Sequence, residues 1–186
     1  MLYIVEVVKV KNRIKIYIML AYTGTLYSKI LKRVLKNKYV HVSIAMDKEL
    51  KKLYSFGRKN PTSMFPCGFV NENIENITSV FSKAECQIFE LEITKEEYNK
   101  LENKINEFKI RELEYGYNIL GLIPLNFNIK LNRKKHFVCS QFIGYLLQEA
   151  GIYDFKKSYS LIKPKDIKEM DNLNKIYEGK MKNVLV

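Results

Sequence analysis

A cysteine and a distant histidine are the residues of this chain whose types and positions support nucleophilic chemistry. Cys139 directly precedes a run in which apolar residues recur at helical spacing, so residues 140–150 are predicted to form an amphipathic helix that Gly151 ends. Cys139 therefore lies at or just before a helix N-terminus, where unpaired amides and the helix dipole favour a thiolate. The same amides can stabilise an oxyanion during acyl transfer. The alternative is that Cys139 is a small buried hydrophobic residue.

A thiol nucleophile needs an imidazole that takes its proton and returns it to the leaving group. The chain has two histidines, His41 and His136. His41 lies near the start of a predicted strand over residues 39–46, on its smaller and more polar face together with Ser43 and Ala45. A structural histidine is the alternative for His41. His136 is too close to Cys139 in sequence for its geometry to be predicted, and contact with the rim of the site is one alternative for it.

Further elements must bring these two residues together. Strands are predicted over residues 14–21, 53–57, 86–93 and around 176–181, with a short strand over residues 3–10 also considered. Helices are predicted over residues 26–35, from the capping box at Thr94 to about residue 108, and near residues 161–167. Residues 58–73 are expected to form a loop and residues 115–128 to be irregular, because both contain Pro and Gly.

The strand over residues 53–57 is predicted to pair with the histidine strand as an antiparallel hairpin. This pairing places Ser55 or Tyr54 within a few residues of His41 across the ladder. A loop of the length of residues 58–73 beside a candidate base often lines a site. The expected architecture is an α+β fold, a small antiparallel sheet packed against the Cys139 helix and one or two further helices, forming one domain over residues 1–186.

Composition excludes several other classes of protein. The net charge is +12, but the lysines are spread along the chain and the densest cluster is residues 133–135, so a solvated surface with weak polyanion affinity is expected. The three cysteines, at positions 67, 86 and 139, argue against a disulfide framework and a CxxC metal site, so no cofactor is expected. No signal peptide or stretch of roughly 20 uncharged apolar residues is seen, and a cytoplasmic location is the expectation.

Three stretches together resemble a known family: residues 39–45 around His41, residues 53–57, and residues 137–143 around Cys139. Their order is similar to the circularly permuted branch of the NlpC/P60 papain-like superfamily, which includes the YiiX-like and lecithin:retinol-acyltransferase-like proteins. In that branch the histidine strands precede the cysteine helix. The loop at residues 23–25 and the segment over residues 161–167, Pro164 included, also resemble that group, and the resemblance spans roughly residues 14–170.

The resemblance implies that Cys139 is the nucleophile and His41 the base, with backbone amides of Cys139 and Ser140 as oxyanion donors. Its third, polar position is usually His, Asn, Gln or Glu on the strand after the histidine, and here it matches Ser55, which is a departure. A serine hydroxyl accepts the ring N–H bond but has no charge to stabilise imidazolium. Glu72 or Asn60 from the following loop is the alternative. Glu72 is also a candidate for contacting substrate.

Aromatic residues before the cysteine helix are candidates for the wall of a substrate site. Tyr117 and Tyr115 are named for this role, and membership of the hydrophobic core is the alternative for both. The resemblance implies a cysteine hydrolase, with amidase or peptidase chemistry on a peptide-like or cell-wall-derived amide first and lipid acyl transfer second. A non-catalytic binding module that binds an anionic partner through its basic surface is the runner-up, and a nucleic-acid-binding protein is a weaker third.

Overall fold

A six-stranded antiparallel sheet organises the part of the chain that the computed structural model describes, residues 13–63, 65–131 and 133–184. The sheet is built from β1 (Arg13–Tyr22), β2 (His41–Ala45), β3 (Leu53–Arg58), β4 (Cys67–Glu72), β5 (Glu85–Thr94) and β8 (Asn174–Lys180). The strand order across the sheet is β4-β3-β2-β1-β5-β8. Two further strands, β6 (Gly116–Tyr117) and β7 (His136–Phe137), form a separate parallel pair.

The helices lie between these strands along the chain: α1 (Leu26–Leu35), α2 (Ile74–Val80), α3 (Lys95–Ile110), α4 (Leu122–Asn126), α5 (Cys139–Glu149) and α6 (Pro164–Lys168). Their ends follow from local capping. Thr25 and Asn73 accept bonds from backbone amides at the starts of α1 and α2. Thr94 and Glu97 form a reciprocal capping box at the start of α3.

One face of the sheet carries the main hydrophobic core. Alternate residues of β1 and β2, such as Ile18, Val42 and Ile44, point to this face and are fully buried. Helices α3 and α5 cover them, and the aromatic ring of Phe56 lies 5.0 Å from that of Phe142 in α5, measured between centroids. Burial of this face fixes α5 against the sheet, so the first residue of α5 is held beside the start of β2.

The opposite face has a smaller hydrophobic cluster that includes Met19, Ala45 and Leu53. It is covered in part by α2 and by the short helical turn that follows β8. His41, Ser43 and Ala45 share this face, as the strand periodicity predicts. Residues of this cluster, Met19 and Ala21 among them, line a cleft on this face.

Most of the predicted elements are confirmed. The strands over residues 14–21, 39–46, 53–57 and 86–93, the helix over residues 26–35, the capping box, the cysteine helix and the last strand all occur within a few residues of their predicted bounds. The β2–β3 pairing is antiparallel, as expected. The strand considered over residues 3–10 lies outside the described residues. None of the helices in the described ranges combines the length and apolar character needed to cross a membrane.

Two predictions about irregular segments are wrong. Residues 58–73 are not wholly a loop, because the edge strand β4 occupies their second half and Pro66 lies just before it, where no ladder amide is needed. Residues 115–128 contain β6 and α4 rather than only irregular backbone. The helix α2, directly after β4, was not predicted either.

Candidate functional site

Cys139 is the first residue of α5, as the sequence predicts. Val138 caps the helix in an extended conformation, and the first helical bond runs from the amide of Phe142 to the carbonyl of Val138. The amides of Cys139 and Ser140 therefore have no carbonyl one turn earlier in the helix to pair with. Cys139 is 5% exposed, and its sulfur lies 3.9 Å from the carbonyl oxygen of Val40.

His41 is the first residue of β2 and lies beside this thiol. Its side chain is 26% exposed, and it lines the same cleft as Cys139, whose sulfur approaches the carbonyl of Val40, the residue before His41. Burial on its own lowers the pKa of His41. The charge of Glu72, the neighbouring Cys139 and the hydrogen bond with Glu72 outweigh burial, so the pKa of His41 is raised well above its ordinary value. An imidazolium at this position stabilises a neighbouring thiolate.

Glu72, the last residue of β4, binds the imidazole ring of His41 through its Nε2 atom. Its Oε1 lies 2.6 Å from Nε2 of His41, and Ser43 Oγ donates to its Oε2 at 2.5 Å. Burial on its own raises the pKa of Glu72, but the charge of His41 and the bonds from His41 and Ser43 keep that pKa below its ordinary value. Because Glu72 holds Nε2, Nδ1 is the ring nitrogen left to exchange a proton with a nucleophile.

Small residues on the intervening strand let Glu72 reach across to His41. β3 lies between β4 and β2, and it presents Ser55 and Gly57 on the face that carries His41 and Glu72. A Cβ atom at Gly57 would lie 3.4 Å from Cε1 of His41 and 3.7 Å from Oε1 of Glu72. The pair thus fits over this strand with little room to spare.

The expectation that Ser55 orients His41 is wrong. Ser55 is buried, and its hydroxyl donates to the carbonyl of Val42 at 2.7 Å, so it fastens β3 to β2 instead. Asn60 is not the orienting residue either, because its side-chain oxygen accepts bonds from Thr62 within a tight turn. Glu72, named as an alternative, occupies this position, and Ser43, which was not singled out, supports it.

A buried amide network fixes the first turn of α5. Gln141 Nε2 donates to the carbonyl of Ser160 at 2.9 Å, and its Oε1 accepts from the amide of Val138 at 3.1 Å and from Asn118 Nδ2 at 3.4 Å. Ser140 Oγ donates to the carbonyl of Ile162 at 2.6 Å. These bonds use both polar atoms of the Gln141 side chain. Sequence reasoning did not find this network, because Asn118 and Ser160 are distant from the helix in sequence.

His41, Glu72 and Cys139 all line one cleft of about 540 Å³. Its wall is largely apolar and includes Val70 and Ile77. A cleft of this size and composition is typical of sites for small molecules or peptide segments. Tyr117 also lines it, and its role in contacting substrate stays a prediction.

The other residues singled out from the sequence lie outside this cleft or take structural positions. Tyr115 packs against Phe108 with ring centroids 4.3 Å apart, so it belongs to the core. His136 has its ring over Gly116, and its Nδ1 lies 2.8 Å from the carbonyl oxygen of Lys134. His136 is not among the residues that line the cleft.

The remaining two cysteines, Cys86 and Cys67, lie on strands of the sheet rather than at the start of a helix. Cys86 is fully buried in the sheet, and burial raises its pKa to about 12. Cys67 is half-buried in β4 and lines the cleft; burial raises its pKa, with Arg58 acting in the opposite direction. Within the described ranges, no cluster of three or more His, Cys, Asp or Glu side chains has an arrangement suited to a metal ion.

Comparisons with protein-family models, with curated proteins and with solved structures found no match for this chain.

Proposed function

We propose that this protein is a cysteine hydrolase of the amidase or peptidase type. The observation that carries the proposal is the arrangement of Glu72, which is hydrogen-bonded to His41, with Cys139 beside them in one apolar-walled cleft. A nucleophile, a base and a group that orients the base are the three parts that thiol-based acyl transfer requires.

The chemistry follows from these positions. The Cys139 thiol gives its proton to His41, and the thiolate attacks the carbonyl carbon of an amide or ester. The amides of Cys139 and Ser140 stabilise the oxyanion. His41 then protonates the leaving amine or alcohol as the carbon–heteroatom bond breaks, which leaves an acyl-enzyme. Water attacks the acyl carbon, His41 takes its proton, and the acid leaves as the thiol is restored, while Glu72 stays ionised throughout.

We also propose that the chain is a circularly permuted papain-like domain of the NlpC/P60 superfamily. The support is the order of the histidine strand, the acidic partner and the cysteine helix, on an antiparallel sheet against which α5 packs. Glu72 is of a residue type expected at the third position, although it lies one strand later than the resemblance implies. Lipid acyl transfer is the second reaction class that this membership suggests.

The test is alkylation of the three cysteines by iodoacetamide across pH 5 to 9, read by peptide mass spectrometry. Cys139 is expected to react faster than Cys67 at low pH. In His41→Ala the alkylation rate at Cys139 should fall by roughly a hundredfold or more, so this advantage is lost. Cys86 serves as an internal reference for a buried thiol. His136→Ala is the matched control and should leave the rate at Cys139 unchanged. Equal rates at Cys139 in wild type and His41→Ala would overturn the proposal.

A second candidate, a binding module for an anionic partner, is favoured by one surface. The residues Lys29, Lys32, Arg33 and Lys36, here called the α1 cation stripe, are all exposed and line a groove of about 590 Å³ beside Tyr22. In the described part of the chain, no ion pair joins the stripe to a carboxylate.

The stripe can be tested with heparin as a model polyanion. If the stripe binds polyanions, affinity should fall steeply with salt, and replacing all four cations with Gln should reduce the salt slope. Binding that is insensitive to these substitutions would exclude the stripe. An unreactive Cys139 together with stripe-dependent binding would favour the binding module over the hydrolase.

A further inference from the structure

The cleft contains one cationic side chain that is not paired with any carboxylate in the described part of the chain. Among the residues that the structure describes, the charged side chains on its wall are those of His41, Glu72, Arg58 and Lys59. Glu72 is engaged by His41 and Ser43, and Lys59 faces Glu112 with its Nζ 3.6 Å from Oε1. Arg58 is different, because no ion pair joins it to a carboxylate anywhere in the described ranges.

Arg58 occupies a defined position in the cleft. It is the last residue of β3, opposite Cys67 of β4, and its side chain is half-buried. Its guanidinium carbon lies 5.4 Å from the centre of the Phe81 ring, and Phe81 lines the same cleft. A guanidinium packed on an aromatic face is restricted in orientation, so less entropy is lost when it binds an anion.

The chemistry of guanidinium then indicates the ligand. Its planar donors match carboxylate and phosphate oxygens in two parallel hydrogen bonds. Half-burial beside apolar residues removes part of the hydration that competes with such a bond. The catalytic carboxylate cannot be this partner, since both of its oxygens are used.

We propose that Arg58 is a substrate-binding residue that selects acyl substrates carrying an anionic oxygen group, a carboxylate or a phosphate, away from the bond that is cleaved. The inference rests on the proposed attack by Cys139, because it assigns the far end of the substrate held for that reaction. The apolar wall between the two ends contacts the intervening carbons.

The test uses matched pairs of alkylating probes in place of the unidentified substrate. N-iodoacetyl derivatives of glycine, β-alanine and 4-aminobutyrate are compared with their primary amides, so each pair differs only in the anionic group. Alkylation forms a bond from sulfur to carbon and releases iodide, and the rate at Cys139 is read by peptide mass spectrometry. Cys67→Ala is the background protein, because Cys67 lines the same cleft.

For at least one linker length, the anionic probe should alkylate Cys139 about tenfold faster than its amide. Arg58→Gln should abolish this preference, measured as the ratio of the anionic and neutral rates within the same variant, while Arg58→Lys should retain part of it. Arg13→Gln removes the same charge at an exposed position outside the cleft and should keep the preference. A phosphonate probe of the best length distinguishes phosphate from carboxylate selectivity.

Each result supports or overturns a separate statement. An anionic preference that Arg58→Gln removes and Arg13→Gln keeps supports the assignment. The absence of any preference, or its equal loss in Arg13→Gln, overturns the assignment while His41-dependent alkylation by neutral probes still supports the hydrolase. An unreactive Cys139 with every probe overturns both.

Discussion

The carboxylate of Glu72 has two hydrogen-bonding partners, His41 and Ser43. Its role depends on His41, because His41 is the partner that titrates. The Nε2 atom of His41 lies 2.6 Å from its Oε1, and burial of His41 opposes the raised pKa that this carboxylate maintains. Ser43 binds the other oxygen and limits the rotation of the carboxylate. The carboxylate therefore both orients the ring and holds its positive charge.

Replacing Glu72 with Gln should lower the pKa of His41 from its raised value, because burial then acts without the opposing charge. The side chain keeps its length and can still hydrogen-bond, so the change isolates charge. NMR titration of the imidazole signals measures the shift, and His136 provides the control signal in the same spectra. An unchanged His41 titration would show that Glu72 does not set the charge of the ring.

At the scale of elements, three strands assemble the pair. His41 begins β2 and Glu72 ends β4, so the intervening strand β3 must present small side chains. Gly57 leaves the space that the imidazole and the carboxylate occupy. This gives Gly57 a packing role that its type alone does not reveal.

Gly57→Ala should be tolerated, because the new Cβ meets His41 at 3.4 Å, an ordinary contact. Gly57→Val adds two further methyl groups beyond the Cβ of Ala, and these displace the imidazole of His41 or the carboxylate of Glu72. The rate of Cys139 alkylation should then fall roughly tenfold or more. Circular dichroism verifies that both variants remain folded. Equal alkylation rates in the two variants would contradict the packing role.

The first turn of α5 depends on a different set of contacts. Gln141→Ala removes the bonds to Ser160 and Val138 inside the protein, so the free energy of unfolding should fall by about 2–4 kcal/mol. Asn106→Ala is the matched control, since it removes an exposed amide from α3. Urea unfolding measures both variants. A loss of stability no larger than that of the control would show that the network does not hold the helix.

The sequence predicts His41 and Cys139 better than Glu72, which lies between them along the chain. His41 and Cys139 each begin a regular element, and apolar periodicity locates both elements. From the sequence Glu72 is only an alternative, because Pro66 and Gly68 make the segment before it resemble a loop. An edge strand tolerates both residues, and only pairing with β3, distant in sequence, identifies it. The Gln141 network likewise joins distant segments without a local signal.

At the scale of the whole molecule, the two faces of the sheet differ in how far other elements cover them. One face packs tightly against α3 and α5 and supplies most of the core. The other is only partly covered, and the cleft opens on it. The pair of His41 and Glu72 lies on this face, and because both side chains are largely buried its charge state contributes to global stability.

The dependence of stability on pH follows from the directions of the two pKa shifts. His41 has a raised folded-state pKa, so its contribution is complete below its ordinary value of 6.5 and is lost as pH rises through the folded-state pKa. Glu72 has a lowered pKa, so its contribution is present above its ordinary value of 4.5 and is lost as pH falls through the folded-state pKa. The pair should therefore stabilise the protein most between these two ordinary values.

The difference in unfolding free energy between wild type and Glu72→Gln should be largest in that window, on the order of 1–3 kcal/mol, and should shrink at lower and higher pH. Urea unfolding at a series of pH values measures it. Glu112→Gln is the control, because that half-exposed carboxylate faces Lys59 at 3.6 Å and should change stability little at any pH. A Glu72→Gln difference that stays constant across the series would mean that the side chain acts through packing, since only a charged pair loses its stabilisation at both ends.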